Sequence, residues 1–110
     1  MTTATFKNAR LAVGTSYTTI YTCPALTTAI ITLLQVANIN GSASADVSIQ
    51  YLDSSASNVA TRLALAIPVA SKTAIIPIGG KLVLEAGDVL QMLASATSSL
   101  EATLGILELS

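Results

Sequence analysis

The 110-residue chain has no histidine and no tryptophan, a single cysteine, one phenylalanine and three tyrosines. Histidine changes charge near neutral pH and is the commonest general base and metal ligand, so its absence removes much acid–base and metal chemistry. One thiol, Cys23, permits no disulfide within the chain and no zinc site of cysteine and histidine. Cys23 is expected as a small buried hydrophobe beside Pro24. Aromatic stacking platforms for single-stranded nucleic acid are scarce, because only Phe6, Tyr17, Tyr21 and Tyr51 are available.

Charge is equally scarce. Charged residues make up 10% of the chain, whereas an average soluble domain is about a quarter charged. The basic residues Lys7, Arg10, Arg62, Lys72 and Lys81 are scattered, and the net charge is −1. Nothing in that pattern draws nucleic acid or an anionic membrane. From Leu11 to Ala45 there is no charge at all. Even so, Thr27, Thr28, Thr32, Gln35, Asn38 and Asn40 break each apolar run well short of the ~18–20 residues of a spanning helix. The opening MTTATFKNAR lacks the basic-then-apolar order of a secretory signal, so synthesis without export is expected.

What the chain does have is apolar residues, 52% of the total, and 26 serines and threonines. A chain of this length builds one domain around one core and leaves about a third of its unfolded surface exposed. With so few charges, that surface must be made of hydroxyl and apolar groups. Other protein chains are expected to cover part of it.

The hydropathy pattern has period two almost throughout. Residues 45–53 put Val47, Ile49 and Tyr51 on one face and Asp46, Ser48 and Gln50 on the other, the alternation of a half-buried strand. Residues 59–69 place Val59, Leu63, Leu65, Ile67 and Val69 on one face. A helix capped by Asn58 would also suit the four-residue spacing of Val59, Leu63 and Ile67, but Pro68 and the unbroken odd-position run favour a strand. Residues 28–39 are apolar on both faces and rich in β-branched side chains, which predicts a central strand covered on both sides. Asn40-Gly41 is the strongest turn signal in the chain. Further strands are expected over 17–22, 81–85, 89–94 and 100–109, with Gly79-Gly80 and Ala86-Gly87-Asp88 as turns. The fold class is therefore all-β: a single antiparallel β-sandwich or jelly roll of about eight short strands over residues 11–110. Residues 1–10 are expected as an N-terminal arm that either frays or contacts a neighbour.

No motif carries catalysis. Of the six carboxylates, Glu85 and Asp88 are nearest in sequence, but an aspartate after glycine in a tight turn bonds its own backbone. The segment VGTSYT lacks the second glycine and the base of a nucleophile elbow. Gly79-Gly80 before Lys81 lacks the rest of a phosphate loop. No ligand-spaced calcium loop is present. No catalytic, cofactor-binding or metal-ligating residue is expected, and no enzyme.

Three elements carry a resemblance. They are the segment Pro24 to Asn38 ending in V-A-N, the segment Leu82 to Leu90 reading L-x-L-x-x-G-D-x-L, and a closing strand with the late Glu108. Together they resemble small structural proteins of tailed bacteriophages, the β-sandwich decoration (cement) proteins and related tail or fibre accessory proteins. The resemblance implies a virion component made in the host cytoplasm without a signal peptide. Its first expected role is a capsid decoration protein on the outer capsid surface that stabilises the shell. Its expected partners are the major capsid protein and copies of itself, as dimer or trimer, with no nucleic acid, membrane, small-molecule substrate or cofactor. The alternative is a tail, baseplate or fibre-base component, and a third reading is a carbohydrate-binding sandwich. The candidate contact residues are Phe6, Lys7 and Arg10 of the arm and Ile30, Leu34 and Val36 of the uncharged stretch.

Overall fold

In the closing strand, Leu100, Ala102, Leu104, Ile106 and Glu108 are buried, while the residues between them are exposed or half-buried. The side chains of successive strand residues point to opposite faces, so this alternation lays one face of the strand on the core. A computed structural model of the protein describes residues 3–78 and 81–110, and that logic repeats through it. The strands are β1 (Ala4–Val13), β2 (Thr18–Thr22), β3 (Thr28–Asn38), β4 (Ala45–Asp53), β5 (Val59–Val69), β6 (Ala74–Ile75), β7 (Leu82–Leu84), β8 (Val89–Ala94) and β9 (Leu100–Leu109). A 3₁₀ turn, Ser54–Ala56, follows β4.

The pairings are nested. β1 pairs with β9, β2 with β8, β3 with β6 and β7, and β4 with β5, all antiparallel. This is one long hairpin whose tip is the β4–β5 turn. Rolling it up adds the pairings of β9 with β3 and β8 with β4. The result is two sheets, ordered β1-β9-β3-β6 with β7 also on β3, and β2-β8-β4-β5. Counting β6 and β7 as two pieces of one interrupted strand, this is the eight-strand jelly roll.

The two inner faces supply the core. Leu34, Val36, Leu104 and Ile106 from the first sheet meet Val47, Ile49, Leu90 and Met92 from the second. Each fully buried leucine or isoleucine contributes about 1.5–3 kcal/mol by leaving water. Among the described residues, the polar side chains that enter the interior all have hydrogen-bond partners. Asn38, 3% exposed, donates to the carbonyls of Ala43 (3.1 Å) and Val69 (2.8 Å) and accepts from the Asn40 N–H. It thereby ties the Asn40-Gly41 connection to both sheets. Asp88 accepts from the Glu85 N–H (2.9 Å), the Ser54 N–H (3.0 Å) and the Ser54 hydroxyl (3.1 Å). The turn before β8 is so stapled to the tip of the β4–β5 hairpin.

Some expectations need correction. The described residues form nine strands, in line with the expected count of about eight, and β1 and β6 are the two that had not been placed in the sequence. Residues 4–10, expected as an arm, are the first part of β1, and the boundary at residue 10 falls inside a continuous ladder with β9. The β5 face also differs. Two β5 residues, Leu65 and Ala66, oppose the single Ser48 of β4, a bulge in which Ser48 Oγ accepts from the Ala66 N–H at 2.9 Å. The bulge resets the alternation: Ala64 and Val69 are buried, while Leu65 is 66% exposed. β3 is covered on its inner face only. The Gly79-Gly80 turn lies outside the described residues.

Candidate functional site

At one end of the sandwich the in-phase position of Glu108 turns a carboxylate inward, to 8% exposure. The Lys7 ammonium of β1 lies 2.9 Å from Glu108 Oε1. The Tyr21 hydroxyl of β2 donates to Glu108 Oε2. Tyr21 belongs to the second sheet and Glu108 to the first, so the group is a polar clamp between them. The Tyr21 phenol and the Lys7 ammonium hold the Glu108 carboxyl below its ordinary range. Burial, then the bond to Glu108, pushes the Tyr21 phenol well above its ordinary value. Both shifts favour a neutral phenol donating to a charged carboxylate. Nearby Cys23 is 1% exposed and sits within reach of the carbonyls of Thr27 (3.3 Å) and Leu84 (3.6 Å). Burial raises its thiol pKa and keeps it protonated.

In the clamp each oxygen of the Glu108 carboxylate already has a partner, the Lys7 ammonium on Oε1 and the Tyr21 hydroxyl on Oε2. Two surface depressions, one bordered by Arg10 and Glu101 and one by Leu26 and Glu85, carry one acidic side chain each. A paired-carboxylate site is not formed in either. Among the described residues no group of three or more Cys, Asp or Glu side chains is placed to hold a metal. Tyr21 and Tyr51 pack against the core, so the tyrosines do not gather into an exposed sugar platform.

The outer face of the first sheet is different. Antiparallel partners point to the same side of a sheet, so the register defines rows across it. Ile30 is opposite Val83 of β7 and Leu107 of β9, and Leu107 is opposite Phe6 of β1. Val83, Ile30, Leu107 and Phe6 therefore form one apolar row across four strands. Phe6 is 80% exposed and Val83 56%. In the next row Leu33 and Asn8 flank Gly105. A Cβ on Gly105 would lie 3.0 Å from Thr32 Oγ1, the bulged residue of β3, so glycine lets the two strands approach there. Arg10 and Glu101 occupy rows further along the same face. One half of the face is uncharged and the other half is polar.

The structure thus brings together three of the six sequence-selected contact residues. Phe6, Arg10 and Ile30 share the outer face. Lys7 points the other way, into the clamp. Leu34 and Val36 are corrected to core residues, 2% and 0% exposed, because the bulge at Thr32 reverses the alternation of β3 beyond Ile30. Sequence reasoning missed Val83, Leu107 and the clamp. The signal for the clamp was the phase of Glu108, which falls on the Leu104–Ile106 side of β9.

No protein-family model matches the chain, and no curated protein matches it in sequence. Among solved structures it is similar to a chain from Bacillus endospore appendages, described as a family of disulfide-linked pili, with a TM-score of 0.58 at 11% identity. That match covers 98% of this chain and 86% of the other. It is also similar to a chain of the T13 particle of infectious bursal disease virus, with a TM-score of 0.56 at 7% identity, and to one of the Gx strain of that virus, 0.55 at 10%. Here this chain is covered to 96% and 99% but spans only 30% and 31% of the viral chains. At these identities the likeness is one of fold.

Proposed function

We propose that this chain is a non-enzymatic structural subunit, a decoration protein that coats the outer surface of an icosahedral capsid and reinforces it. Its partners in this reading are the major capsid protein and further copies of itself. The observation that carries the reading is the apolar row Val83–Ile30–Leu107–Phe6 on the outer face of the first sheet, exposed at both ends and half-buried between, in a chain with only 10% charged residues. A contiguous apolar face of that kind marks a protein contact. The pilus and virus-particle chains that share the fold are in line with an assembling subunit. The disulfide linkage of the pili has no counterpart here, since Cys23 is enclosed. Many weak attachments across capsid junctions would hold such a coat by avidity.

The test is imaging of the particle that contains the chain, together with its copy number. Many copies distributed over the shell support a decoration role. A handful of copies at the tail would replace it with a tail or baseplate role.

A further inference from the structure

β1 is ten residues long and, among the described residues, has a partner on one edge only. The Thr3 N–H donates to the Ser110 carbonyl and the Ser110 N–H to that of Thr3. Hydrogen-bonded pairs alternate along an antiparallel ladder, and the β1–β9 register is unbroken. The odd residues Thr5, Lys7, Ala9, Leu11 and Val13 thus spend their backbone groups on β9. Ala4, Phe6, Asn8, Arg10 and Ala12 direct theirs to the free edge, and none is proline. The same even residues carry their side chains on the outer face. A long strand edge is a template for another strand unless charge or shape guards it. The inward charge that would serve as a guard, Lys7, is neutralised by Glu108.

We propose that two copies of this chain join through the free edges of β1, antiparallel about a two-fold axis at Asn8. The partner is identified by register. Centring at Asn8 pairs Ala4 with Ala12 of the second copy, and Phe6 with Arg10 of the second copy. Each guanidinium then lies beside a phenyl ring on the same face, a cation–π pair made twice by symmetry. Centring at Lys7 would instead set the two ammonium groups directly opposite, and centring at Arg10 the two guanidinium groups. Centring at Ala9 avoids a clash but sets Ala4 opposite Gly14, beyond the strand, so the Asn8 register alone engages every free even residue of β1 without like charges opposite each other. It joins the two first sheets into one continuous sheet, in which each apolar row ends against Arg10 of the second copy and its row of Thr103 and Gln35. This inference rests on the self-association in the proposed function and supplies its surface.

The experiment uses the full chain in sedimentation velocity, with variants at the axis. The wild type is expected to sediment as a concentration-dependent dimer. Asn8→Cys should oxidise to a covalent dimer, because hydrogen-bonded antiparallel partners have Cα atoms about 5.5 Å apart, within disulfide range. Asn8→Pro should weaken association about tenfold by removing interchain bonds. Its circular dichroism and melting should stay unchanged, because the Asn8 N–H has no partner in its own chain. Phe6→Arg and Arg10→Phe should each weaken the dimer, and the double exchange should restore it. A wild-type monomer at all concentrations, a trimer, or a dimer insensitive to Asn8→Pro and not linked through Asn8→Cys overturns the proposal. A chain that fails these tests yet coats empty shells would leave the decoration role standing. A β1-linked dimer that binds no shell would do the reverse.

Discussion

Ile30 and Leu34 lie on opposite sides of the Thr32 bulge in β3 and face opposite ways, and truncating each should give losses of different size. Leu34 is 2% exposed and lies beside its ladder partner Leu104 on the inner face of the first sheet. Leu34→Ala removes buried methyl groups and leaves a cavity between two rigid sheets, a cost of about 3 kcal/mol. Ile30 is half-buried on the outer face, and Ile30→Ala should cost about 1 kcal/mol or less. At about 4 °C per kcal/mol, Leu34→Ala should lower the melting temperature by about 12 °C and Ile30→Ala by about 4 °C or less. The chain has no tryptophan, so urea unfolding followed by far-ultraviolet circular dichroism is the suitable assay. Dilute protein keeps association out of the measurement. If Ile30→Ala proved as costly as Leu34→Ala, the assignment of inner and outer faces would be wrong.

Three further outcomes are expected. A carboxyl held low in the folded state contributes stability that is complete above its unfolded value of about 4.3 and fades as pH falls towards the folded value. Tyr21→Phe, which removes the main cause of the Glu108 depression, should flatten stability between about pH 5 and 3 and cost about 1 kcal/mol at neutral pH; an unchanged acid slope counts against the clamp. Asp88→Ala orphans the donors of Ser54 and Glu85 and should cost about 2–3 kcal/mol in denaturant titration, whereas a loss below about 0.5 kcal/mol would mean that water replaces the carboxylate there. Gly87 has a φ of 87°, and a Cβ there would lie 3.0 Å from Ser54 Oγ; Gly87→Ala should destabilise by about 1–3 kcal/mol, and a neutral result would show that this turn relaxes freely.

Strand positions were legible wherever alternation was clean. Residues 45–53 and 59–69 were delimited as strands from the sequence, and the structure returns the same bounds for β4 and β5. β1 was not, because its sequence inverts the usual contrast. Phe6 faces out and Lys7 faces in, and only the carboxylate of Glu108, on a strand about a hundred residues away, makes that phase stable. The Leu65–Ile67 phase was hidden by the bulge opposite Ser48, which depends on pairing with β4. β6 spans two residues, too few to show a period. For the candidate surface, residues 30–36 are apolar on both sides of the strand. Composition therefore cannot separate Ile30, which faces out, from Leu34 and Val36, which face in. Only the pairing register with β9 does so.

Imaging an assembled particle at side-chain resolution tests the central claim most directly, because that claim concerns what lies against the outer face of the first sheet. The account predicts protein density packed over Phe6, Ile30, Leu107 and Val83 in each copy. A face that meets only solvent in all copies would contradict it.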